Sequence, residues 1–71
     1  DILKKIRAQI PEIKMADYDL FCYLCAGFSY RVISIFMQTK IDNIYNRKSR
    51  LKMLIGNSTA TSKELFLRNI G

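Results

Sequence analysis

Residues 27–55 run GFSYRVISIFMQTKIDNIYNRKSRLKMLI, a short apolar stripe followed by a longer, strongly basic one. Ser29 is placed to cap a short helix over 29–37, in which Val32, Ile33, Phe36 and Met37 recur at helical spacing and form one apolar stripe. A turn is expected at Gln38 and Thr39. The following Thr39-Lys40-Ile41-Asp42 has the form of a capping box: Thr39 would accept from an early backbone N–H, and Asp42 would reach back to the cap residue. A longer helix is therefore predicted over 40–55. Its apolar residues Ile41, Ile44, Leu51, Leu54 and Ile55 fall on one side, leaving Asn43, Tyr45, Asn46, Arg47, Lys48, Ser49, Arg50 and Lys52 to face outward. A short helix, a tight turn and a longer basic helix make a helix-turn-helix, which braces an outward polar face from behind.

Composition bounds what surrounds this motif. With 71 residues the chain is one small domain, near the lower size limit for a core unsupported by metal or disulfide, and its 49% apolar fraction can supply that core. Twelve Lys and Arg oppose six Asp and Glu, giving a net charge of +6 and a pI near 9.6. So strong an imbalance in a short chain points to a polyanionic partner, with simple solubility as the plainer alternative. The sequence opens on Asp1 and carries neither a signal peptide nor an apolar run of membrane-crossing length, so it reads as a domain excised from a longer protein.

Outside the motif, Ile2, Leu3, Ile6 and Ile10 stripe a leading helix over 1–10 that Pro11 ends. It packs on its own domain in the favoured reading and is the tail of an upstream linker in the other. A scaffold helix over 15–26 carries Leu20, Phe21, Tyr23, Leu24 and Cys25, has Asp17 and Asp19 in its first turn, and stops at Gly27. Cys22 and Cys25 form a C-x-x-C, but with no His and no second cysteine pair a four-ligand zinc site cannot be assembled, and buried thiols are expected. After the small-residue loop 56–62, a terminal helix over 61–70 is predicted, capped by Thr61 or Ser62, with Glu64 in its first turn and Leu65, Phe66, Leu67 and Ile70 available for core or interface. There is no strand-like alternation, so the prediction is an all-α domain of four to five helices.

These residues resemble the helix-turn-helix domain of LuxR-type (GerE-like) bacterial transcription regulators. Gly27, Phe28 and Ser29 match the family's opening; Ile33, Ser34 and Met37 match its first apolar helix; Ile44, Arg47 and Leu51 match its recognition helix. The likeness extends over about residues 10–69. The family's capping Ser falls on Lys40, which moves the expected cap back to Thr39.

The resemblance implies a winged-helix-like DNA-binding fold without the wing, serving as the output domain of a cytoplasmic regulator behind an upstream sensor or repeat domain. It implies base-edge contacts at Tyr45, Asn46 and Ser49, and phosphate contacts at Tyr30, Arg31, Lys40, Arg47, Lys48, Arg50 and Lys52. It also implies double-stranded DNA as partner and a possible homodimer through the terminal helix. No cofactor, metal or membrane association is expected.

Enzymatic activity finds no support in the residues: there is no His, no glycine-rich phosphate loop and no placed carboxylate pair. Two rival functions stand beside DNA binding. One is a protein-interaction module descended from a helix-turn-helix, suggested by Lys40 and Asn43 and by the apolar end helices. The other is an amphipathic membrane-surface segment at Ile2–Arg7, whose stripe is short for that purpose.

Overall fold

A computed structural model describes residues 1–71 and contains five helices and no strand: α1 Ile2–Gln9, α2 Met15–Cys25, α3 Tyr30–Phe36, α4 Ile41–Gly56 and α5 Lys63–Ile70. Each predicted helix is present, within one or two residues of its expected ends. The radius of gyration is 11.4 Å, about the 11 Å of a close-packed chain of this length, so no helix is splayed away.

The longest helix, α4, packs against α2, α3 and α5. It turns Ile44, Leu51 and Ile55 inward, where they join Ile6, Ile10, Leu20, Phe21, Leu24, Ile33, Ala60, Phe66 and Ile70 in one core. At its centre Phe21 of α2 and Phe66 of α5 meet edge to face, with ring centroids 5.9 Å apart at 89°. That geometry sets the positive ring edge against the negative face and adds to the area that both rings bury.

The leading helix belongs to this core. Asp1 caps α1 by accepting from the Lys4 amide at 2.9 Å, and Ile6 and Ile10 are fully buried. Gln9 then ties α1 to the start of α5 with two hydrogen bonds: its Nε2 donates to Ser62 Oγ at 3.0 Å, and its Oε1 accepts from the Ser62 amide at 2.9 Å. Ser62 does occupy the N-cap position of α5, but its hydroxyl serves α1 and makes no capping bond. The expected loop between α4 and α5 is present, and Ala60 within it is buried.

Two backbone motifs set the angles of the helix-turn-helix. At the end of α2 the Gly27 amide donates to the Leu24 carbonyl at 3.1 Å, and the Phe28 amide donates to the Tyr23 carbonyl at 3.3 Å. This is a Schellman motif with Gly27 in the left-handed region at φ +84°, and its customary apolar contact is present as the Tyr23–Phe28 ring pair. Ser29 then caps α3 as expected, accepting from the Val32 amide at 3.2 Å. At the end of α3 the same pattern repeats, with the Gln38 amide donating to Ile35 and the Thr39 amide donating to Ser34, but here the left-handed residue is Gln38 at φ +53°.

That second motif overturns the expected capping box. Thr39 lies in the Schellman turn, so the N-cap passes to Lys40, which makes no side-chain capping bond. The Thr39 hydroxyl instead accepts from Asn43 Nδ2 at 2.8 Å, and Asp42 is left exposed. Other expectations also shift. Ile41 is 40% exposed and Phe36 48% exposed, so neither belongs to the buried stripe; Phe36 packs instead on the Tyr23 and Phe28 rings at the surface. Asp19 is the fifth residue of α2, which leaves Asp17 alone in its first turn.

The left-handed residues make a paired test. A non-glycine residue there carries about 1–2 kcal/mol of strain. Gln38→Gly is therefore expected to stabilise the fold by about 1 kcal/mol, net of glycine's greater unfolded-state freedom. Gly27→Ala is expected to cost about 1 kcal/mol from φ alone, since an added Cβ would meet nothing within 4 Å. Thermal denaturation reads both as opposite shifts in Tm of about 4–8 °C per kcal/mol.

Candidate nucleic-acid interface

The buried stripe of α4 determines what its other side presents. At 100° per residue, Asp42, Tyr45, Asn46 and Ser49 fall within one arc opposite Leu51 and Ile55, and all four are exposed. Tyr45, Asn46 and Ser49, the expected base-contacting residues, therefore share one face of a 16-residue helix. The helix is about 24 Å long and 10–12 Å wide, matching a major groove about 12 Å across.

The seven residues expected at phosphates divide into three groups. Arg47 and Arg50 line a cleft of about 320 Å³ together with Lys14, Ala16 and Asp17, where the flank of α4 meets the start of α2. Lys14 is the N-cap of α2 and makes no side-chain capping bond, so the first amides of that helix stay open at its positive end. No local pattern in the sequence marks Lys14 or this helix end as a neighbour of Arg47 and Arg50. They come beside Arg47 and Arg50 through tertiary packing, and the only sequence trace is the i, i+3 spacing of the two arginines.

Arg31 and Lys40 form a second group. They border a shallow hollow of about 660 Å³ with Ser34, Ile35, Thr39 and Ile41, on the side where α3 turns into α4. Ser34 is nearly buried beneath it, and its hydroxyl is satisfied by donating to the Arg31 carbonyl at 2.6 Å.

The third group, Tyr30, Lys48 and Lys52, is engaged within the molecule. Tyr30 meets Tyr45 edge to face at 4.6 Å and 73°, while its hydroxyl accepts a hydrogen bond from Lys48 Nζ. Lys52 Nζ donates to the Gly71 carbonyl at 2.9 Å, fastening α4 to the end of α5. Tyr30 thus acts from α3 as a strut that holds Tyr45 and Lys48 on α4 in fixed directions.

Other candidate chemistry is sparse. Cys22 and Cys25 are free and half-buried rather than fully enclosed. Burial and the neighbouring Cys22 push the Cys25 thiol up to about 11, so it stays protonated and poorly nucleophilic at neutral pH. Because this pKa lies above the unfolded value, the associated stabilisation is present at neutral pH and is lost as pH rises through about 11. No group of three or more His, Cys, Asp or Glu side chains comes together as a metal cluster. No helix is long and apolar enough to cross a membrane.

The strut gives a measurable coupling. A double-mutant cycle of Tyr30→Ala and Tyr45→Ala, read by chemical denaturation, is expected to return an interaction energy of about 0.5–1.5 kcal/mol. Additivity within about 0.3 kcal/mol would show that the rings do not hold each other. In comparisons with known proteins, no protein-family model, curated protein or solved structure matches this chain.

Proposed function

We propose that this chain binds double-stranded DNA, laying the outward face of α4 in the major groove as the output domain of a cytoplasmic bacterial transcription regulator of LuxR type. The observation that carries this reading is the exposed polar face of α4, backed by fully buried Ile44 and Ile55 and flanked by the Lys14, Arg47 and Arg50 cleft. A rigid helix with cations beside it and hydrogen-bonding side chains along its crest suits a partner that is anionic at its edges and polar at its centre.

In this reading Tyr45, Asn46 and Ser49 meet base edges, and Asn46 offers the paired donor and acceptor that suit adenine. Arg47, Arg50 and Lys14 hold the backbone on one flank, with Arg31 and Lys40 on the other. Tyr30, Lys48 and Lys52 position the helix more than they grip phosphate, given their contacts within the fold. Half-buried Leu65 and Leu67 on α5 offer a surface for a second copy, and an upstream sensor or repeat domain would supply the signal.

A protein-interaction role is the second reading, favoured by Ile35 at 67% exposure beside half-exposed Phe28 and Phe36. Such residues contribute little to a phosphate contact and would suit an apolar partner surface.

Salt dependence separates the two. Four or five phosphate contacts imply a fall in duplex affinity of on the order of 100- to 500-fold between 50 and 200 mM salt, read by fluorescence anisotropy. Arg47→Ala or Arg50→Ala is expected to weaken binding to all sequences and lower the slope by about one, while Asn46→Ala loses about 1–3 kcal/mol of discrimination at one base pair. Binding that barely responds to salt, or no duplex binding by a tethered dimer, favours the protein-contact reading.

A further inference from the structure

Asp42 lies in the first turn of α4, where its charge suits the positive end of the helix, but its carboxylate makes no hydrogen bond within the fold. The capping box that would have used its carboxylate does not form, since the α4 N-cap is Lys40, whose side chain makes no capping bond. Asp42 is exposed, and it stands three, four and seven residues before Tyr45, Asn46 and Ser49. Those offsets place it on the same helix face, one turn nearer the N-terminus. A carboxylate so placed is repelled by every phosphate of an approaching duplex, and the open end of α4 compensates only in part. One kind of contact reverses the balance: a base-edge amino group that donates to it.

We propose that Asp42 is a specificity-determining residue that accepts a hydrogen bond from the N4 amino group of a cytosine, so that the chain selects a C·G pair at the edge of its site. The inference rests on the DNA-binding reading of α4. The major-groove edge of cytosine presents a lone donor, and an acceptor-only side chain is its natural complement. Thymine at that position offers an acceptor that faces the carboxylate without a proton, and guanine offers two. The N-terminal part of a recognition helix is also the part that reaches base edges in helix-turn-helix complexes. From Asp42 to Ser49 the helix rises about 10 Å, which spans about three base steps. Asp42 therefore extends the row of Tyr45, Asn46 and Ser49 by one position, and its carboxylate rejects wrong bases as much as it selects the right one.

The test is selection of duplexes from a random 20-base-pair library by the wild-type chain as a tethered dimer, followed by anisotropy titrations with Asp42→Ala and Asp42→Asn. The wild type is expected to select one C·G position outside those altered by Asn46→Ala and Ser49→Ala, with about 5- to 100-fold preference over T·A. Asp42→Ala is expected to reduce that preference to below about twofold while leaving the other positions intact. Asp42→Asn, which regains a donor, is expected to move it toward A·T. If Asp42→Ala and Asp42→Asn bind every duplex more tightly by the same factor with no change in preference, the carboxylate is only a repulsive surface charge and the proposal fails. Failure of the wild type to enrich any duplex overturns the DNA-binding reading beneath it, an outcome distinct from enrichment without a dependence on Asp42.

Discussion

The structure depends on the burial of one side of α4. Ile44, Leu51 and Ile55 carry that helix into the core against α2 and α5, where the Phe21–Phe66 edge contact closes the interior. A chain of this size buries a modest share of its surface, so few side chains are free to be elsewhere. Because the inward stripe cannot rotate without emptying the core, the opposite face of α4 is held outward with equal firmness. The polar face is therefore a consequence of packing, and its direction is as well determined as the core itself.

The remaining helices read as supports for that arrangement. The Schellman motifs after α2 and α3 fix how α3 enters and leaves, and they place Tyr30 where it can brace Tyr45 and Lys48. α1 and α5 are joined through Gln9 and Ser62, and α5 is fastened to α4 through Lys52 and the Gly71 carbonyl. Charge follows the same division. Lys48 and Lys52 serve the fold, while Arg47 and Arg50, with Lys14, line an open cleft. Net charge alone could not have separated the two sets.

Much of this was legible in the residues. The i+7 and i+4 spacing from Ile44 to Leu51 to Ile55 specified a buried side, and Pro11 and Gly27 marked helix boundaries through their backbone limits. Ser29 capped as its type and place implied. Elsewhere a short pattern had two physical outcomes. Thr39 and Asp42 fit a capping box, but the turn after α3 took the Thr39 backbone, and Asn43 Nδ2 took its hydroxyl. Ser62 could cap α5, yet a partner 53 residues away claimed its side chain. Lys14 and Ala60 matter only through neighbours brought by folding, for which no local spacing gives warning.

In the DNA-binding reading, the polar arc of α4 meets a duplex while the opposite side stays in the core. Amide chemical-shift mapping on the isotopically labelled chain during titration with duplex DNA tests it most directly. The largest changes are expected at Asp42, Tyr45, Asn46 and Ser49, with a second cluster at Ala16 and Asp17 beside the Lys14 cleft and little at Leu20, Phe66 or Ile70. Changes centred on Phe28, Ile35 and Phe36, or confined to α1 and α5, would contradict it.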